Sequence, residues 1–131
     1  MITITDLSVK KADGTTSVTY TALKGNTGDK TQALWRSETS STLVSGRATV
    51  TLTPRASANG KARITDVVVS YPETYVNTTT GLTMVKDTDY FRGSFVCSQE
   101  VADATNNEFT AQTINLLTAL LPAIRQGWGV N

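Results

Sequence analysis

The chain has 131 residues, a net charge of +1, a single cysteine (Cys97) and no histidine. That length suits one domain, residues 1–131, built on one core. The missing histidines exclude a His-based triad and a His-ligated metal, and one cysteine can form neither an internal disulfide nor the usual Cys/His zinc site.

No Walker loop, GxGxxG or GxSxG pattern occurs, so no catalytic residue, cofactor or small-molecule substrate is indicated. No stretch approaches twenty apolar residues, and the first residues, MITITDLSVKK, lack the charged start and apolar run of a signal peptide. Threonine occurs 24 times, mostly alternating with Val, Ile, Leu or Tyr, which suits a pleated, half-buried surface.

In chain order, residues 2–10 read as a strand. Ile2 and Ile4 share one face and Leu7 and Val9 the other, which predicts a bulge near Asp6. Asp13-Gly14 signals a hairpin into a second strand carrying Val18, Tyr20 and Ala22. KGNTGDK (24–30) reads as a loop, residues 32–37 as a short strand centred on Trp35, and ETSST (38–42) as another loop. The next strand points Ala48, Val50 and Leu52 one way and Arg47, Thr49, Thr51 and Thr53 the other, and Pro54 should end it. RASANG (55–60) makes the turn. In the following strand Lys61, Arg63 and Thr65 alternate with Ala62 and Ile64, until Asp66 falls where an apolar residue is due. Pro72 should stop that strand, with a further extended piece through Tyr75 and Val76. NTTTG (77–81) is a flexible loop. A long strand from about Thr83 to Ser98 then sets Phe91, Gly93, Phe95 and Cys97 on one face and Tyr90, Arg92, Ser94 and Val96 on the other.

The last thirty residues change to a helical period. Thr105 to Glu108 predicts a capping box, and Phe109, Thr113, Leu116, Leu117, Leu120 and Ile124 mark one stripe, with a kink or restart at Pro122. Asp103 and Glu108 near the helix start and Arg125 near its end suit the macrodipole. A helix of about sixteen residues spans roughly 24 Å. It could fold onto its own sheet or reach across a partner's.

Charge is distributed unevenly. From Thr39 to Thr65 there are four basic residues, Arg47, Arg55, Lys61 and Arg63, and no acidic one; from Asp87 to Glu108 there are five acids and one base, Arg92. Chance clustering on a solvated face explains this equally well.

The order of elements resembles the coat proteins of single-stranded RNA bacteriophages, the levivirus family, along essentially the whole chain. The resemblance rests on the N-terminal hairpin, ALWRSETSS (33–41), GRATVTLTPRASANGKARIT (46–65), a Gly-containing loop before the long strand, and ATNNEFTAQTINLLTALL (104–121). It implies an α+β fold: an antiparallel meander with an N-terminal hairpin, and C-terminal helices that clasp a partner's sheet. It implies a homodimer, assembly into a T=3 icosahedral shell located in the virion, and synthesis in the bacterial host's cytoplasm. Phe109, Leu116, Leu117, Leu120 and Ile124 would form the dimer interface. Asn77, Thr78, Thr79, Thr80, Gly81 and Leu82 would form the loop between dimers; cysteines that some members carry there are absent from TTTGLT (78–83).

The resemblance further implies single-stranded RNA on the sheet face away from the helices, and in well-known members repression of translation through an RNA hairpin. The matching positions are Arg47, Thr49, Thr51, Thr53, Arg55, Asn59, Lys61, Arg63, Thr65, Tyr90 and Arg92. Arg and Lys neutralise phosphates, Thr hydroxyls reach base edges, and an aromatic ring stacks on an unpaired base. β-Propensity alone accounts for any single threonine, and half-buried packing for Tyr90; the stripe Arg47, Lys61 and Arg63 carries the reading. The mostly threonine central strand is less basic than several family interiors, which weakens the case for hairpin specificity. Two other readings are a phage tail or pilus subunit without RNA binding, which makes poor use of the C-terminal helix, and a small monomeric nucleic-acid-binding β-domain, which the low net charge disfavours.

Overall fold

The computed structural model describes residues 2–127; Met1 and 128–131, the ends of the predicted domain, lie outside the described residues. Six strands run in chain order across one antiparallel sheet: β1 (Leu7–Lys10), β2 (Ser17–Lys24), β3 (Ala33–Arg36), β4 (Thr49–Ala56), β5 (Ala62–Val76) and β6 (Thr83–Ser98). A 3-10 turn (Val44–Gly46) precedes β4, and α1 (Asp103–Ala119) and α2 (Leu121–Gln126) follow β6. This is the α+β meander expected from the sequence.

The N-terminal strand is shorter than its alternation suggests. The Asp6 carboxylate accepts the Ala22 backbone N–H at 2.8 Å, and the Trp35 indole N–H donates to the Thr5 carbonyl at 2.8 Å. These side-chain bonds take the place of ladder bonds, so residues 2–6 leave the sheet instead of bulging within it. Ile4 thereby packs on the core formed by Tyr20, Ala33, Trp35 and Ala48. The hairpin forms as predicted. Asp13 accepts the Thr15 and Thr16 N–H groups at 2.9 Å, and Gly14 takes φ +74°. Together with the Thr16 hydroxyl, whose bond is the largest cause, these donors lower the Asp13 pKa to about 2.

Neither Pro54 nor Pro72 ends its strand. β4 runs on to Ala56 and β5 to Val76. The reason is the length of the neighbours. β3 pairs with β4 only as far as Leu52, and β4 with β5 only as far as Ser70. Each proline therefore sits beyond the last ladder pair on one side of its strand, so its missing N–H costs no ladder bond there; the Pro54 carbonyl on that side accepts the Lys30 N–H at 2.8 Å. β5 continues past Pro72 against β6 alone, with a register shift between Glu73 and Thr74.

Directly opposed residues of antiparallel strands point to the same face. One face carries Ala22, Trp35, Val50, Val69 and Phe91 in a row, then Ala33, Leu52, Val67 and Gly93, then Pro54, Thr65 and Phe95. The N-terminal part of helix α1 meets this face at β6, through an edge-to-face contact of Phe109 with Phe95 at 6.2 Å. The helix begins at Asp103, with Ala102 as an N-cap lacking a side-chain bond, so the predicted capping box does not form. Asn106 is engaged instead, donating to the Ser98 carbonyl at 3.2 Å and tying the helix start to β6. Glu108 accepts from Gln112 at 2.6 Å. Pro122 sits in the first turn of α2, where its fixed φ and absent N–H suit a helix start.

Candidate nucleic-acid interface

The face away from α1 is built by three rows across β4, β5 and β6: Thr49, Ser70 and Tyr90; Thr51, Val68 and Arg92; Thr53, Asp66 and Ser94. A fourth row sets Arg55 beside Ile64 and Val96. Thr21 and Arg36 extend the first row onto β2 and β3, and Lys24, opposite Leu34, adds a cation at the margin. Of the predicted positions, Thr49, Thr51, Thr53, Arg55, Tyr90 and Arg92 are thus brought together.

Arg47 joins this group at its edge. Its guanidinium binds Glu38 at 2.6 Å and the Ser41 carbonyl at 3.0 Å, while Arg36 holds the other Glu38 oxygen at 2.7 Å. Glu38 is held below the usual carboxylate range by these two arginines, Arg36 first. Arg55 binds Asp66 at 2.8 Å, and the Ser94 hydroxyl donates to the other Asp66 oxygen. Arg92 has no carboxylate partner among the described residues; its guanidinium lies 5.6 Å from the centroid of the exposed Tyr90 ring. That arrangement couples a free cation to an aromatic surface.

The remaining predicted positions go elsewhere. Arg63 opposes Ala56 and Cys97, and Thr65 opposes Pro54 and Phe95, so both point to the helix side. Arg63 makes a bidentate ion pair with Asp29, at 2.6 and 2.9 Å, and thereby ties β5 to the loop before β3. The expected common stripe of Arg47, Lys61 and Arg63 is therefore corrected: Arg47 and Arg63 belong to opposite faces. The irregularity at Asp66 has the same origin. Ile64, Asp66 and Val68 face away from the helix, and the side that the sequence reading took as outward is the inner one. Lys61 and Asn59 lie in the β4–β5 turn. Asn59 Oδ1 there accepts from the Ser57 hydroxyl at 2.8 Å and the Lys61 N–H at 3.0 Å.

Sequence reasoning missed Arg36, Glu38 and Asp66 as members of this face, whereas it had set Ser94 on the same side of the long strand as Tyr90 and Arg92. Asp66 had left a signal, as the break in alternation. No group of three or more His, Cys, Asp or Glu that could hold a metal occurs among the described residues.

No protein-family model matches the sequence, and no curated protein is significantly similar to it. Solved structures do match. The virus-like particle of Beihai levi-like virus 21 superposes with a TM-score of 0.80 over 99% of both chains at 16% identity. That of bacteriophage NT-214 gives 0.81 over 99% of this chain and 100% of its own, at 15% identity. The bacteriophage GA capsid protein gives 0.63 over 88% and 84%, at 19% identity. The chain therefore has the coat-protein fold of the single-stranded RNA phages.

Proposed function

We propose that this chain is a non-enzymatic shell subunit that dimerises, assembles into a closed icosahedral capsid, and packages single-stranded RNA on the face away from its helices. The observation that carries the reading is what the single chain leaves unburied. Helix α1 buries none of its residues, although Phe109, Ile114, Leu116 and Leu117 all project from it, and Leu120 at its C-cap is exposed as well. Beside it, β6 is a sixteen-residue strand at the open edge of the sheet. A long open edge and an uncovered apolar helix are liabilities in a monomer. A second copy, pairing along β6 and laying its helix across this sheet, removes both. The helix-side groove of about 640 Å³ lined by Ile4, Trp35, Leu52 and Pro54 offers further apolar surface to cover.

The β5–β6 loop fits the role of a contact between dimers. Asn77 Oδ1 accepts the Thr79 and Thr80 N–H groups at 2.9 and 3.2 Å, and Gly81 takes φ +71°. Copies in different shell environments are expected to differ most there. RNA binding is supported by the cations of Arg36, Arg47, Arg55 and Arg92, only partly balanced by Glu38 and Asp66, among threonine hydroxyls and the Tyr90 ring.

The test is to express the chain in bacteria and examine the soluble product by size-exclusion chromatography, electron microscopy and nuclease protection. Closed particles holding protected RNA are expected. A filament would favour the tail or pilus reading, and a stable monomer would exclude the shell.

A further inference from the structure

Asp66 is out of place on a surface that binds a polyanion. It occupies the middle of the helix-free face, opposite Thr53 on β4 and Ser94 on β6, one row from Arg92. A carboxylate there repels phosphates, so a role in binding the RNA backbone is excluded. Resting on the RNA-binding reading above, we propose that Asp66 is a base-reading residue that selects an unpaired guanine.

The geometry supports that role in three ways. First, the carboxylate is oriented before any ligand arrives. Arg55 Nε donates to Oδ2 at 2.8 Å and the Ser94 hydroxyl donates to Oδ1, so the group is anchored at both oxygens. A side chain already fixed loses little freedom on binding. Second, acceptor capacity remains. An ionised carboxylate has about four lone-pair sites. One on each oxygen is used, which leaves at least one on each, and the side chain keeps 31% of its exposure. Third, the two free acceptors match one base. The pairing edge of guanine presents N1–H and the N2 amine as adjacent donors, whereas uracil offers one imino group and adenine and cytosine one amine each. Unpaired bases expose that edge. The Arg55 and Ser94 hydrogen bonds also hold Asp66 below the usual carboxylate range, so it is charged near neutrality. The Tyr90 ring, with Arg92 beside it, lies within the same surface and can stack a neighbouring base.

The experiment presents dimers with a pool of RNA stem-loops whose loop is randomised, at several salt concentrations, and sequences the bound fraction. One loop position should be enriched in guanine. Asp66→Asn should lose that enrichment by about tenfold. A second arm leaves the protein unchanged. On a selected hairpin, inosine in place of that guanosine removes the N2 amine and should weaken binding about tenfold; 7-deazaguanosine keeps the pairing edge and should not. The chemical substitutions decide the matter if Asp66→Asn fails to assemble. Pool binding that is salt-dependent but has no guanine preference, or a preference indifferent to inosine or surviving Asp66→Asn, overturns the assignment to Asp66 alone. Dimers that bind no RNA at all overturn the RNA-binding reading with it.

Discussion

Leu116→Ala tests the proposed dimer at a point where the helix itself has nothing to lose. Leu116 lies in α1 and is 61% exposed in the single chain. Fully burying a leucine side chain stabilises by about 1.5–3 kcal/mol, so covering the exposed part is worth about 1–2 kcal/mol. A symmetric dimer contains the site twice, which gives about 2–4 kcal/mol per dimer. At about 1.4 kcal/mol per tenfold, the dimer dissociation constant should rise roughly 30- to 700-fold. Alanine is the best helix former, so α1 should persist, and the Phe95–Phe109 contact is untouched. The assay is sedimentation equilibrium on dimers from dissociated particles, with far-UV circular dichroism as the control for helix content. The variant should keep its helical signal and dissociate at much higher concentration than the parent. Equal dissociation constants with an intact helix would refute the idea that this side of α1 is covered by a partner.

Three further outcomes follow from the same structure. Arg55→Gln and Arg92→Gln should each lower the slope of log affinity for RNA against log salt by about 0.7–0.9, whereas Arg63→Gln, on the opposite face, should leave the slope unchanged; a loss at Arg63 alone would reverse the assignment of faces. The Asp29 carboxylate is held low, first by its hydrogen bond from Arg63. Because its folded pKa lies below its unfolded one, its contribution is fully present above the ordinary carboxylate range and is lost as pH falls through the depressed value. The difference in melting temperature between parent and Arg63→Gln should therefore shrink only in that acid window, and a difference that does not change with pH would show that the pair is not its source. Trp35→Phe keeps an aromatic ring in a position only 9% exposed but removes the indole N–H from the Thr5 carbonyl, so it should cost at least about 1 kcal/mol by urea denaturation; an unchanged midpoint would mean that the N-terminal segment is not held there.

The long, unbroken patterns were legible in the sequence. β6 has the predicted bounds and the predicted division of faces, and α2 restarts at Leu121 beside Pro122 as its proline demands. These depend on local periodicity and on one residue's own geometry. The prolines of β4 and β5 were misread because their tolerance depends on where a neighbouring strand stops, which is not a local property. The helix cap was misread for a similar reason. Asn106 bonds to Ser98 across the β6–α1 connection, and that contact competes with the capping box.

The sequence by itself determined that this chain makes a β-rich meander followed by a helix, that it lacks histidine chemistry, and that several of its strands are two-faced. Only the tertiary structure decided which side of β5 faces out. Arg63 and Thr65 on one side, and Asp66 on the other, make both faces of that strand mixed in polarity, so alternation alone carries no direction. The register does: Thr53, Asp66 and Ser94 share a row, and Phe95, opposite Thr65, meets Phe109 of the helix. Strand parity is a two-way choice that a single residue's shift inverts, and it is settled by pairing with neighbours far away in the chain.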